Sequence, residues 1–225
     1  MQTIVKKPTS LFNEWANTKP WKLLTKPTPS LFDSLFPKSN ILVKVFASLI
    51  MVGVLVLSGR LTFYLPDNPV PITFQTAAVL FAGGLFGGRW GLFTIIVYYM
   101  LGMVGLGVFK DGSGGFTYAT QSMTTGYLLG FLLATPLVGF LSRRGWNKSK
   151  IIWPMLLGNL IIYLPGLLWL YVNHEPNGIG FSWPNSGELF SKGMYPFIPG
   201  DLVKLMLASI FIAGSWTIVA RKKKQ

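Results

Sequence analysis

Six long apolar runs constrain this chain more than any other feature of its sequence. A helix that crosses a membrane needs about 20 mostly apolar residues, because its backbone polar groups must be satisfied inside lipid. The runs predict transmembrane helices at Ile41–Gly59, Ile72–Gly88, Gly91–Phe109, Ser122–Leu141, Ile151–Val172 and Gly200–Ala220. We therefore expect an all-α integral membrane protein with a bundle of six transmembrane helices.

The composition agrees with a membrane location and argues against the ordinary soluble classes. Charged residues make up 12% of the chain and apolar residues 51%, whereas about 25% of the residues in a soluble domain are charged. The chain has no cysteine and a single histidine, His174. These counts argue against disulfides, iron–sulfur clusters and zinc sites, so we expect no metal and no cofactor.

The distribution of positive charge predicts how the chain crosses the membrane. If both termini and the two short basic loops, 87–90 and 142–150, share one side, that side carries 16 of the 20 Lys and Arg residues. Cytoplasmic loops are enriched in Lys and Arg. We therefore expect both termini in the cytoplasm and a multi-pass protein of the cell membrane. Basic residues spread between apolar runs, without a patch on a polar surface, argue against nucleic acid as a partner.

The chain divides into two parts. Residues 1–40 form a basic, proline-containing extension, and residues 41–225 form the six-helix domain. Aromatic residues interleave with lysines in the extension, which suits the interface of an anionic cytoplasmic leaflet; a disordered tail explains this composition equally well. The first long apolar run begins only at Ile41, too late for a cleavable signal peptide, so we expect the extension to stay uncleaved.

Two charges within the last apolar run are the most informative motif. Asp201 and Lys204, in the sequence PGDLVKLMLASI, lie at positions i and i+3 and so share one face of a helix. Charges inside a membrane are costly, usually face the interior of a bundle and mark functional sites. The pair is predicted to contact a ligand near the outer surface. Alternatively, Asp201 caps the helix while Lys204 snorkels or pairs with it.

Two further motifs fall at the outer ends of predicted helices. The sequence VPITFQT, 70–76, brings Thr73 and Gln75 to the start of the second helix, where Gln75 can donate and accept hydrogen bonds. Its alternative role is structural, satisfying backbone broken by Pro69 and Pro71. The glycine-rich segment 105–131 permits close approach to a ligand and could fold back as a lid. This segment carries the candidate contacts Phe109, Gly115, Tyr118 and Tyr127.

The three motifs together predict an outward-facing site for a small molecule, with apolar walls and a few polar groups. His174 and Glu175 lie side by side in an outer loop, where a solvated pair explains them, and they are left out of the site. The sequence lacks the pattern G-x-x-x-x-G-K-[ST]. We therefore do not expect this chain to handle ATP.

Several of these motifs together resemble the biotin transporter BioY family, the substrate-binding S components of energy-coupling-factor (ECF) transporters. The resemblance covers about residues 45–220 and rests, in order, on VPITFQT, LFGGRWG, LGMVGLGVF with GSGG, TGYLLGF and PGDLVKLMLA. It implies a six-helix S-component fold that holds biotin near the outer surface. The resemblance assigns ligand contacts to Gln75, Asp201 and Lys204, and also to Phe109, Gly115, Tyr118 and Tyr127.

The same resemblance implies how such a chain works. It would take up biotin, a vitamin, with an energy-coupling transmembrane subunit and two ATPase subunits as partners, embedded in membrane lipid. Two other classes compete with this interpretation. A membrane-embedded enzyme would need a nucleophile or paired acids with a base, and the apolar runs offer only Asp201 beside Lys204. A solitary or ion-coupled carrier of another small carboxylate would need a titrating acid, yet a neighbouring lysine favours the ionised form of Asp201. We therefore do not expect this chain to be an enzyme.

Overall fold

The computed structural model describes residues 27–66, 68, 70–173 and 186–222, most of which are helical. In chain order the helices and strands are α1 (Leu31–Leu35), α2 (Ile41–Arg60), β1 (Thr62–Phe63), β2 (Ile72–Thr73), α3 (Gln75–Met103), α4 (Phe116–Gln121), α5 (Thr125–Arg143), α6 (Ile152–Val172), α7 (Leu189–Gly193) and α8 (Ile198–Lys222). Within these described residues, five helical segments are long and apolar enough to cross a membrane; they contain α2, α3, α5, α6 and α8. The prediction of a helical membrane protein is confirmed.

The ends of four predicted helices lie within three residues of the observed ends, namely those of α2, α5, α6 and α8. A departure from the all-α prediction is the ribbon of β1 and β2, which pair antiparallel with Thr62 opposite Thr73 and Phe63 opposite Ile72. Two residues per strand are too few for an alternating pattern to appear in the sequence. The ribbon leads the chain from the end of α2 to the start of α3.

Helix α3 is a hairpin of two antiparallel arms. Gly87 interrupts it with φ 76° and ψ −178°, a conformation that glycine adopts readily because it lacks a Cβ. Nε2 of Gln75 lies 2.6 Å from Oη of Tyr98, although a straight helix would separate these residues by about 35 Å. The arms correspond to the second and third predicted helices, Ile72–Gly88 and Gly91–Phe109.

Glycines bring α3 and α5 into close contact. A Cβ atom at Gly83 would lie 2.6 Å from the carbonyl oxygen of Thr135, and one at Gly88 would lie 3.2 Å from that of Pro136. Small residues of this kind let helices pack in lipid. The core between α3, α5 and α6 includes the buried non-aromatic side chains of Val79, Leu80, Ala82, Ala134, Val138, Met155 and Ile162.

The end of the bundle that contains Gly87 also holds the short helix α1. Leu31 and Phe32 are buried there, and the Phe32 ring lies 5.2 Å from the ring of Phe86. The backbone amide of Thr28 donates to the carbonyl of Arg143, at 2.7 Å. This part of the predicted extension, for which we considered a segment at the membrane interface or a disordered tail, therefore packs on the bundle. Residues 1–26 lie outside the described residues.

Candidate functional site

A cavity lies at the end of the bundle where α3 and α8 begin. Its lining includes seven of the eight predicted site residues: Thr73, Gln75, Phe109, Tyr118, Tyr127, Asp201 and Lys204. The eighth, Gly115, lies in the loop that covers the cavity. The side chains of Thr76 and Tyr163 also line the cavity, and sequence reasoning did not single them out.

The acidic and basic residues of α8 form a buried ion pair. Nζ of Lys204 lies 3.0 Å from Oδ1 of Asp201, and only 4% and 3% of these residues is exposed. Oδ1 also accepts from the hydroxyl of Thr76 at 3.3 Å, and Oδ2 accepts from the hydroxyl of Tyr163 at 2.6 Å. These hydrogen-bond partners of Asp201 are side chains, so the contacts do not match a helix cap. The alternative pairing with Lys204 is observed.

The ammonium group of Lys204 has donors to spare. An ammonium carries three N–H donors, and among the described residues its hydrogen-bond acceptor is Oδ1 of Asp201. Nζ also lies 5.7 Å from the centre of the Phe74 ring. Because burying a charge without partners is costly, the two remaining donors favour an acceptor that enters the cavity, such as a carboxylate or a carbonyl oxygen.

Gln75 is held in place by the second arm of α3. Its Nε2 donates to Oη of Tyr98 at 2.6 Å, and its side chain lies against Gly59 of α2. A Cβ at Gly59 would overlap the Gln75 amide, so a glycine is needed there. This contact uses Nε2 and does not involve Oε1 of Gln75. The amide is therefore oriented by its neighbours before any ligand binds.

The glycine-rich segment covers the cavity with an aromatic stack. Phe109 is fully buried; its ring stacks on Tyr118 with centroids 5.6 Å apart and meets Tyr98 edge-on at 5.5 Å. Gly115 adopts φ 99°, and its amide donates to the carbonyl of Gly102 at 2.7 Å. A non-glycine residue at 115 would be strained there. Glycine at this position thus lets the loop adopt its observed conformation.

Polar side chains on either side of β1 hold this loop at the rim of the cavity. The hydroxyl of Tyr64 donates to Oδ2 of Asp111, and Nζ of Lys110 lies 3.1 Å from the same hydroxyl. Nη2 of Arg60 donates to the carbonyl of Gly107 at 2.9 Å. The hydrogen bond from Tyr64 lowers the pKa of the Asp111 carboxyl and so favours its ionised form.

Tyr127 and Tyr163 connect the cavity to the segment before α8. The hydroxyl of Tyr127 donates to the carbonyl of Gly193 at 2.6 Å, and its ring meets that of Tyr163 edge-on at 6.4 Å. A Cβ at Gly166 would lie 2.5 Å from the Tyr127 ring. Tyr127 therefore packs directly against the backbone of α6.

Sequence reasoning missed the side chains that orient the predicted ones. Tyr98, Tyr163 and Thr76 hold Gln75 and Asp201, as described above. The available signal was a hydrogen-bonding group inside an apolar run, but tyrosine is common in such runs and gives little specificity. The remaining outer residues considered from the sequence lie outside the described residues: Pro69, His174 and Glu175.

Fold and site together define a class: a multi-pass helical membrane protein with a buried, charged site for a small molecule at one end of its bundle. A family model described as the BioY family matches residues 29–221. Because the match covers most of the chain, the chain belongs to the BioY family.

Individual relatives agree with this assignment. The chain is similar to the "Probable biotin transporter BioY" of Pyrococcus horikoshii, with 35% identity over 143 residues that cover 64% of this chain and 78% of that protein. It is also similar to the "Biotin transporter BioY" of Thermotoga maritima, with 30% identity over 169 residues, or 74% and 88% of the two chains.

A solved structure has the same fold. The crystal structure of the S-component for biotin from an ECF-type ABC transporter aligns with a TM-score of 0.64 and 26% sequence identity, covering 81% of this chain and 91% of that one. The predicted resemblance to the S components of ECF transporters is thereby confirmed.

Proposed function

We propose that this chain binds biotin with high affinity and carries it across the cell membrane as the substrate-specific subunit of an ECF transporter. The observation that carries the proposal is the buried ammonium of Lys204, which has two free donors among the described residues and faces a cavity in a chain of the BioY family. The chain is a transport component, not an enzyme, and it needs no cofactor.

The polar groups of the cavity match those of biotin. Biotin offers one carboxylate, a ureido ring that both donates and accepts, and an apolar body. Lys204 pairs with the carboxylate, while Asp201 and Gln75 bind the ureido ring or orient Lys204. The aromatic side chains of Phe109, Tyr118 and Tyr127, together with Thr73 at the rim, surround the apolar body.

Biotin needs more room than the cavity offers as it stands. Its volume is about 60 Å³, enough for a few water molecules, whereas cavities for small ligands usually measure about 300–1,000 Å³. We infer that the segment between Gly105 and Gly115 moves away when biotin arrives. Both glycines have positive φ, so the segment can pivot at its ends once the hydrogen bonds from Gly115 to Gly102 and from Arg60 to Gly107 break.

We also infer that the bundle crosses the membrane six times, with both termini in the cytoplasm. The antiparallel arms of α3 support two crossings in place of one, and an even number of crossings puts both ends on the same side. The Gly87 end of the bundle then faces the cytoplasm, as does the extension formed by residues 1–40. The basic residue Arg143 lies at this end, since a Cβ at Gly87 would lie 2.8 Å from its side chain. Residues 41–225 form the biotin-binding domain.

This topology predicts the outcome of thiol labelling, which the absence of cysteine makes simple. Ser149→Cys, in an exposed position of the basic loop, should react with an impermeant maleimide only after cells are permeabilised. Gln121→Cys, exposed at the opposite end of the bundle, should react in intact cells. Labelling of residue 149 in intact cells, or protection of residue 121, would contradict the topology.

We propose that partner subunits supply the energy for uptake. The chain lacks a phosphate-binding loop, and the buried acid Asp201 is paired with Lys204, which disfavours a proton relay through it. The proposed partners are an energy-coupling transmembrane subunit and two ATPase subunits.

Purified chain in liposomes should therefore not concentrate biotin inside, with or without a proton gradient. The measurement is the ratio of internal to external radiolabelled biotin at steady state. A ratio at or below one is expected. Accumulation driven by a pH gradient would instead favour the alternative function, a solitary ion-coupled carrier of a small carboxylate.

Binding of radiolabelled biotin to the purified chain in detergent tests the proposed function itself. Unlabelled biotin should compete fully for the site, and other small carboxylates added in tenfold excess should not. Competition by an unrelated carboxylate as strong as by biotin itself would overturn the assignment of biotin as the ligand.

A further inference from the structure

We propose that Tyr163 is a positioning residue that holds the Asp201 carboxylate and thereby keeps two ammonium donors of Lys204 free for the carboxylate of the ligand. The inference rests on the proposed function, because it concerns how the same site recognises biotin. Tyr163 lies on α6, whereas Asp201 and Lys204 lie on α8. The contact thus fixes the ion pair from a different helix.

The hydrogen bond from Tyr163 has the length expected of a strong one. Oη of Tyr163 lies 2.6 Å from Oδ2 of Asp201 in a buried setting, within the range of about 2.5–2.7 Å for a hydroxyl that donates to a carboxylate. Among the described residues, Oδ2 accepts from Tyr163, and Oδ1 accepts from Lys204 and Thr76. The two oxygens of Asp201 are thus divided between separate partners.

The Tyr163 ring is itself held in place. It meets the ring of Tyr127 edge-on at 6.4 Å, and the Tyr127 hydroxyl is anchored on the carbonyl of Gly193. The absence of a side chain at Gly166 lets the Tyr127 ring lie against α6. Because of this bracing, the Tyr163 hydroxyl presents a fixed donor to Asp201, independent of Lys204.

Removal of the Tyr163 hydroxyl should change which donors the Asp201 carboxylate accepts from. In Tyr163→Phe, Oδ2 loses its donor, and a buried carboxylate oxygen without a partner is unfavourable. The remaining donors to this carboxylate are Lys204 and Thr76, and the ammonium has N–H groups to spare, so we expect the carboxylate to rotate and accept a second ammonium N–H. Lys204 then keeps one donor instead of two. The affinity for a ligand with a carboxylate should therefore fall more than the affinity for a neutral ligand.

Calorimetry with biotin and biotin methyl ester tests this inference. The control is Tyr171→Phe, which removes the same hydroxyl from a tyrosine on α6 that is 61% exposed. Wild type and control should favour the acid by about tenfold or more, whereas Tyr163→Phe should favour it by less than about threefold, with nearly unchanged affinity for the ester. Thermal unfolding verifies that each variant is folded.

Equal losses for acid and ester in Tyr163→Phe, or no loss at all, would show that Tyr163 only fills space, and the inference would be overturned. Binding of neither ligand by the wild type would defeat the proposed function instead. A second comparison uses Asp201→Asn, where adding Tyr163→Phe should change the biotin affinity by less than about twofold, since the charged acceptor is gone. If Tyr163→Phe lowers the biotin affinity in the Asp201→Asn background as much as in the wild type, the inference is contradicted. If Asp201→Asn does not fold, the ratio of acid to ester affinity in Tyr163→Phe is the deciding measurement.

Discussion

Biotin should bind the wild-type chain at least about tenfold more tightly than biotin methyl ester, and this preference should largely disappear in Lys204→Gln. A hydrogen bond to a charged group contributes about 1.5–3 kcal/mol, or roughly ten- to a hundredfold in affinity. Lys204 is the buried cation of the cavity, with two donors free among the described residues. Isothermal titration calorimetry on folded protein measures both affinities.

Comparing ligands avoids an ambiguity in the mutant alone. Lys204→Ala would leave Asp201 buried without its cation, and such a loss is strongly destabilising. Glutamine keeps a donor near Oδ1 of Asp201 but no charge. The preference for the acid should persist in Gln75→Ala and in the control Lys192→Gln, whose lysine lies 3.9 Å from Glu188 outside the cavity. If the wild type binds the ester with the same affinity as the acid, Lys204 does not recognise the carboxylate and the ion pair is structural.

Gly102→Ala should lower the affinity for biotin by about tenfold or more while the bundle stays folded. A Cβ at Gly102 would overlap the ring of Phe109, which is fully buried between Tyr98 and Tyr118 and cannot keep its present position. Overpacking of this kind costs about 1–3 kcal/mol. The ring must move, and with it the glycine-rich segment that lines the cavity. Biotin binding and thermal unfolding are both measured.

Gly53→Ala is the matched control, since no atom lies within 4 Å of a Cβ at that position of α2. An alanine in the interior of a helix is more favourable than glycine by about 1 kcal/mol, so this variant should be at least as stable as the wild type and should bind biotin equally well. Unchanged binding in Gly102→Ala would mean that the Phe109 stack does not shape the site.

Residues whose chemistry conflicts with lipid were predictable from the sequence. Asp201 and Lys204 stand out because a charge in an apolar run is costly, and their spacing places them on one helical face. Gln75 stands out because its amide can donate and accept hydrogen bonds at the start of α3. The reversal at Gly87 was also predictable, because two glycines followed by an arginine interrupt an otherwise continuous apolar segment.

Features that depend on distant contacts were not predictable. Tyr163 and Asp201 are 38 residues apart in the chain, and nothing in the local sequence of α6 distinguishes this tyrosine from one that faces lipid. The burial of Leu31 and Phe32 was missed because a five-residue helix carries too little periodicity to separate it from a tail. Both features arise from tertiary packing, which overrides local pattern.

The most direct measurement is a calorimetric titration of the purified chain with biotin in the absence of ATP and of any partner. We expect saturable binding of one biotin per chain, with biotin recovered unchanged afterwards. An absence of saturable binding by folded protein would contradict the central claim that this chain alone forms the biotin site.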